Sequence, residues 1–308
     1  MISMDITKRK EVEINNNVFS YIFLEGQNKE KNIFFFHATG FNAETYIPFF
    51  LKLNELLENQ YSIYALDQRG HGLSEATAVP SELSSWNTYF EDGKNFLSKF
   101  SSSENILMGH SMGGVVAARL VYDFEDKVSK SILIDPVLQL QSLKFQIPFF
   151  NISNKTFSSL LSFFKKNRAS EMIINAKKRR SIFADKEEIF NHYQGRGAFT
   201  NWPEESLKAY INGGVRKDNN QINLSCDPEW EAKTFAVSYA ARTNFIKKLN
   251  KKTYVPYASN GSTLSPEVRD LLLSNPNYFF EKIDGSHFFP MEEKDLICGK
   301  ISNFIKAL

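Results

Sequence analysis

Cysteine is almost absent: Cys226 and Cys298 are the only two in 308 residues, and neither has metal-ligand spacing around it. That excludes a disulfide framework and a cysteine metal cluster. Long apolar runs are missing too; none approaches the roughly eighteen residues of a membrane span. The opening stretch, Met1-Ile-Ser-Met-Asp-Ile-Thr-Lys-Arg-Lys10, has no apolar h-region of the kind a signal peptide needs. Excess charge of one sign is lacking as well. Lys and Arg number 37 against 35 Asp and Glu, a formal +2, too little to argue for nucleic acid or an anionic membrane as partner. Internal repeats and low-complexity tails are not seen. A cytoplasmic protein acting on a small molecule is expected, with no metal and no cofactor.

What remains is an ordinary globular composition, 42% hydrophobic and 23% charged, able to bury a core. Phenylalanine is heavily used, at 28 residues, so packing should be aromatic-rich. The length suits one large α/β domain or a core with an insertion.

Along the chain, β-rich runs at Glu11–Ile14 and Val18–Leu24 flank Asn15-Asn16-Asn17 and predict a hairpin. Strands are expected at Asn32–Phe36, Tyr61–Leu66, Ile106–Met108 and Ser131–Asp135. Helices are expected at Glu44–Leu57, around Trp86 to Phe100, and at Gly114–Tyr122. Strands apolar on both faces that alternate with helices predict a mostly parallel sheet covered on either side. After Pro136 the rhythm breaks. Residues 137–229 show no clear strand, and a segment so long is expected to be a helical cap rather than a loop. Leu160, Leu161, Phe163 and Phe164 suit a helix there, as do Met172, Ile173 and Ile174. The basic runs Lys165-Lys166-Asn167-Arg168 and Lys177-Lys178-Arg179-Arg180 read as solvated faces. The core resumes over 230–308, with a helix at Glu231–Leu249, strands at Thr253–Ala258 and Tyr278–Ile283, and a helix opened by Ser265 as N-cap and Pro266 at N1. The expected division is therefore 1–136 and 230–308 as core, 137–229 as cap.

The chemistry gathers at Gly109-His110-Ser111-Met112-Gly113, which follows an apolar strand and precedes a helix. That is the context in which G-x-S-x-G becomes a nucleophile elbow. Ser111 is expected at strained angles, with Gly109 and Gly113 leaving room for the turn. A serine hydroxyl needs an adjacent base. Of five histidines, His110 should diverge from Ser111, His37 and His71 sit in tight loops as backbone organisers, and His192 lies in the cap. His287, in Gly285-Ser-His287 after the last core strand, is the expected base.

These motifs resemble the α/β-hydrolase superfamily. Gly109-His-Ser-Met-Gly-Gly114 is similar to its elbow, and His37-Ala-Thr-Gly-Phe41 to its oxyanion loop. Asp67-Gln-Arg-Gly-His-Gly-Leu-Ser74 is similar to its D-x-R-G-H-G-x-S loop, and Gly285-Ser-His287 to its histidine loop. The resemblance implies the α/β-hydrolase fold and a triad acid. Many members carry that acid after the penultimate strand, but here Ser259-Asn-Gly-Ser-Thr-Leu-Ser265 holds no carboxylate. The other placement in such enzymes is the end of the strand after the elbow helix, which is Asp135. Asp135 is favoured, with Glu267 or Asp284 as alternatives; an N-cap before Pro136 is its bland role. The oxyanion donors expected are the amides of Met112 and Thr39, with Phe41 as alternative to Thr39. Ala38 stands where the family often has Gly.

A serine nucleophile argues against the dehalogenase and epoxide-hydrolase branches, which use Asp at the elbow. Acyl transfer to water is expected, on an ester or lactone first. Hydrolysis of a carbon–carbon bond in a β-diketone-like substrate is the alternative, and a non-catalytic ligand-binding module on the same fold is a third.

Overall fold

The computed structural model describes residues 7–138, 170–218, 220–237 and 243–307. Its centre is an eight-stranded sheet built from β1 (Thr7–Ile14), β2 (Asn17–Leu24), β3 (Lys31–Phe36), β4 (Ser62–Leu66), β5 (Glu104–His110), β6 (Val128–Ile134), and two late strands, Lys252–Ala258 and Tyr278–Ile283. The spatial order is β1-β2-β4-β3-β5-β6, then Lys252–Ala258 and Tyr278–Ile283 at the far edge. β2 pairs antiparallel with both β1 and β4. All other pairings are parallel, so β2 is the one reversed strand. The β1–β2 turn is made by Asn15 and Asn16 at φ 48° and 59°. Both are left-handed, as a two-residue type I′ turn requires, and asparagine tolerates that region.

Period-two alternation sorts the apolar strands between two faces. Ile33, Phe35, Ile63, Ile106, Met108 and Ile132 join one cluster, with Phe49, Phe50 and Leu53 of α1 (Ile47–Leu56) and Ile297, Ile301 and Ile305 near the C-terminus. Phe34, Phe36, Leu107 and Leu133 join the other, with Phe96 and Leu97 of α2 (Asn87–Phe100) and Val115 and Val116 of α3 (Met112–Asp123). A sheet covered on both sides has no polar face, which is why its central strands read as continuous apolar runs. Phe34, Phe35 and Phe36 are fully buried, each contributing about 2–3 kcal/mol by area removed from water.

Part of the expected cap lies outside the described residues, including Leu160, Leu161, Phe163, Phe164 and Lys165-Lys166-Asn167-Arg168. The described part is not purely helical. Beside helical residues 170–177, α4 (Lys186–Tyr193) and α5 (Glu204–Gly213), it holds a three-stranded antiparallel sheet. Its strands are β7 (Ile182–Phe183), β8 (Val215–Asp218) and β9 (Gln221–Leu224), in the order β7-β9-β8. Strands of two to four residues are too short to display alternation in the sequence. The segment's apolar side, with Phe183, Ile189, Phe199, Trp202, Leu207 and Tyr210, packs onto the α1 face of the core.

The helix expected from Glu231 instead begins earlier, as α6 (Pro228–Val237). Asp227 caps it by accepting from the amides of Glu229 and Trp230 at 2.8 and 3.3 Å. A 3-10 turn follows at Thr243–Lys248. The late strands are β10 (Lys252–Ala258) and β11 (Tyr278–Ile283), joined through α7 (Pro266–Leu272). Ser265 caps α7 through its side chain, with Pro266 at N1, as expected. The chain closes with the short α8 (Phe289–Glu292) and α9 (Lys294–Lys306). No helix among the described residues is long and apolar enough to cross a membrane.

Candidate active site

β5 delivers Ser111 at φ 57°, ψ −118°, directly before α3. Such angles in a residue with a Cβ cost about 1–3 kcal/mol. Three backbone bonds hold them: Ser111 N to Ile134 O (2.9 Å), and Gly114 N and Val137 N to Ser111 O (3.1 and 3.2 Å). The turn is closed by atomic contact. A Cβ on Gly109 would lie 2.1 Å from Gly113 O, and one on Gly113 would lie 2.0 Å from Phe36 O. Only glycine fits either position.

β6 ends at Ile134 and places Asp135, fully buried, at φ 37°. The loop after β11 brings His287 to it, with Nδ1 2.5 Å from Asp135 Oδ2. Oδ2 also accepts from the Thr263 amide at 3.1 Å; Oδ1 accepts from the Ala258 amide at 3.2 Å and from the Ser262 hydroxyl. Burial alone would raise this carboxyl. The hydrogen bond from His287 and the attraction of its imidazolium form, with Ser262 and Thr263, outweigh it and hold Asp135 below its ordinary range. Glu267 and Asp284 are both exposed, and Asp284 accepts from the Ser259 hydroxyl at 3.0 Å. Of the three candidate acids, only Asp135 meets the imidazole. The loop 259–265, which lacks an acid, supplies donors to Asp135 instead. Ser262 and Thr263 were not singled out in the sequence; their only signal was a hydroxyl-rich loop where a carboxylate was sought.

Among the described residues no hydrogen bond joins Ser111 Oγ to His287. Such contacts commonly tighten only when substrate is bound. The amides of Met112, at the start of α3, and of Thr39 donate to no described residue, whereas the Phe41 amide is committed to Ala38 O at 3.2 Å. Thr39 lies over the elbow, its hydroxyl 3.4 Å from Met112 Sδ. His37 organises its loop as expected: one ring nitrogen meets Ala38 O at 2.8 Å and the other accepts from the Gln68 amide at 2.9 Å.

A family model for serine aminopeptidase, S33, matches residues 27–198, more than half of the chain. The chain belongs to this α/β-hydrolase family. The serine hydrolase-like protein of Mus musculus is 23% identical, spanning 92% of this chain and 91% of its own. The 2-(acetamidomethylene)succinate hydrolase of Mesorhizobium japonicum is 28% identical over 111 residues, which are 35% of this chain and 37% of that protein. Among solved structures, an E-2-(acetamidomethylene)succinate hydrolase superposes with TM-score 0.76 at 16% identity, over 98% of this chain and all of that one. The thioesterase domain from the curacin biosynthetic pathway gives 0.73 at 14%, over 96% and 99%. At these identities the structural likeness shows the shared fold.

In this α/β-hydrolase the D-x-R-G-H-G-x-S loop is scaffold. Asp67 is buried and accepts from the amides of Ala43 (2.7 Å) and Leu73 (2.9 Å) and from Arg9; Arg69 forks onto Asp92 with two 2.8 Å bonds. Arg179, expected on a solvated face, instead reaches inward and pairs with Glu231 at 2.8 Å, with side-chain exposures of 18% and 10%. Burial raises the Glu231 carboxyl, and Arg179 pulls it back. The pair abuts the His37–Phe41 loop: Gly40 has φ 79°, and a Cβ there would meet Glu231 Oε1 at 2.3 Å. Lys177 and Arg180, by contrast, remain half-exposed in ion pairs with Glu229 and Glu188.

Proposed function

We propose that this chain is a serine hydrolase cleaving a carboxylic ester or lactone through an acyl-enzyme on Ser111. The observation that carries the proposal is the 2.5 Å contact between His287 Nδ1 and buried Asp135, on the same sheet rim as the strained elbow serine. With Nδ1–H donated to Asp135, Nε2 is the lone-pair nitrogen and can act as base. In the proposed sequence Ser111 Oγ attacks the carbonyl carbon while its proton passes to His287 Nε2. Asp135 stabilises the imidazolium so formed. The Met112 and Thr39 amides face the carbonyl oxygen as it becomes an oxyanion; one such donor is typically worth about 3 kcal/mol of transition-state stabilisation. Collapse breaks the bond to the alkoxy oxygen, which leaves with the imidazolium proton. Water then repeats the cycle and releases the acid.

The test is covalent labelling with a fluorophosphonate together with steady-state rates on a panel of p-nitrophenyl esters, lactones and β-diketones. Labelling at residue 111, lost in Ser111→Ala along with ester turnover, is the expected result. An unlabelled wild type would indicate a ligand-binding module. Turnover confined to diketones would move the assignment to carbon–carbon bond hydrolysis. Turnover retained in Ser111→Ala would remove Ser111 from its role.

A further inference from the structure

His110 precedes the elbow serine, yet its ring turns into the core and is fully buried. Its centroid lies 4.7 Å from that of His287. Nε2 sits 2.9 Å from the backbone carbonyl oxygen of His287. A carbonyl can only accept, so Nε2 carries the ring proton. Nδ1 then holds a lone pair, and the atom 2.8 Å from it, Tyr46 Oη, must donate. Tyr46 Oη in turn accepts from the Ala38 amide at 3.3 Å. Each bond dictates the polarity of the next, so the chain has one proton arrangement. Its two ends are in the catalytic parts of the proposed site: Ala38 precedes Thr39 in the oxyanion loop, and the His287 carbonyl belongs to the base. Among the described residues nothing else donates to that carbonyl. Burial, with the nearby charge of His287, pushes the His110 ring down to about 3, so it stays neutral and keeps this tautomer.

We propose that Tyr46 and His110 are positioning residues, a one-way hydrogen-bond relay that sets the backbone of the base against the backbone of the oxyanion loop. The proposal rests on the assignment of Ser111, His287 and Asp135 above. Asp135 fixes the tautomer of the His287 ring; the relay fixes where the peptide carrying that ring stands relative to Thr39. Losing Tyr46 Oη leaves His110 Nδ1 without a donor. Its proton can then move to Nδ1, turning a lone pair toward the His287 carbonyl and repelling it.

The tautomer is read directly by 15N NMR of the full chain labelled at histidine, between pH 5 and 8. His110 is expected protonated at Nε2, bare at Nδ1 and invariant across the range. A proton on Nδ1, or a charged ring above pH 5, overturns the relay whatever the protein's activity. In Tyr46→Phe, kcat should fall about tenfold with KM within about twofold, as expected for one lost buried hydrogen bond that matters in the transition state. His110→Gln keeps a donor near the Nε2 position and should be less impaired than His110→Leu. Wild-type kcat in Tyr46→Phe, or a loss confined to KM, would refute the positioning role. A wild type that fails to label at Ser111 would instead sink the hydrolase proposal, and the tautomer measurement still decides the relay.

Discussion

Three imidazoles are locked neutral in the interior, and this sets how the protein responds to acid. His37, His71 and His110 are each at most 1% exposed. Burial, helped by neighbouring imidazoles or by Arg179, takes His37 well below its ordinary 6.5, His71 to about 4 and His110 to about 3. A folded value below the unfolded one means that unfolding takes up protons, so stability is greatest above pH 6.5 and falls as the pH drops. At pH 5.5 an unfolded histidine is about nine-tenths protonated while the buried one is not, a loss of about 1.4 kcal/mol each. The three together lose about 4 kcal/mol between pH 8 and pH 5.5, a substantial part of the 5–15 kcal/mol that holds a typical domain. Asp92 and Glu231, whose carboxyls are raised mainly by burial, act in the opposite sense. The contribution of one imidazole is therefore measured by difference. Calorimetric unfolding at pH 5.5 in two buffers of different ionisation enthalpy counts the protons taken up. Replacing His71 with Asn should lower that count by about 0.9 and flatten the stability–pH slope accordingly. A count unchanged by the substitution would refute the picture of a neutral ring sealed in the core.

Asp135→Asn should depress turnover by about four orders of magnitude if the carboxylate holds the His287 tautomer; a drop below about tenfold, with a severe one for Glu267→Gln, would reassign the acid. Gly113→Ala drives a methyl against Phe36 O and should cost about 3 kcal/mol or more, read as a fall in melting temperature; an unchanged melting temperature would contradict the closed geometry of the elbow. Arg179→Met strands Glu231 in the interior. The loss should be about 3 kcal/mol at pH 8 and smaller as the pH falls, because burial raises the Glu231 carboxyl and eases its protonation; denaturant midpoints compared across pH check the sign.

The sheet was legible because its central strands are apolar on both faces, and because the turn chemistry is local: Asn15-Asn16 for the hairpin, Ser265-Pro266 for the start of α7. The small sheet of Ile182–Phe183, Val215–Asp218 and Gln221–Leu224 was not, since Val-Arg-Lys-Asp and Gln-Ile-Asn-Leu are too short to show a period and Gly213-Gly214 stands before them as a breaker. Arg179 looked like one of four basic residues in a row; its burial depends on Glu231, fifty-two positions on, which no local pattern announces. The candidate acid could be narrowed to three carboxylates from strand ends and loops. Choosing among them needed distances, because Asp135 and His287 are 152 positions apart. The same holds for His110, whose partners Tyr46 and His287 lie on either side of it at long range.

One reversed strand among eight has a consequence for how this chain can vary. Seven carboxyl ends stop along the same rim, and the groups at issue leave it by separate loops after Phe36, His110, Ile134 and Ile283. Each loop starts from a strand clamped by ladder bonds, so a one-residue insertion in any of them displaces a single group against the other three. The opposite rim receives most of the incoming segments and carries none of that chemistry. Insertions there should change length with less effect on turnover than insertions at the first rim, which would divide tolerance to mutation between the two ends of the sheet.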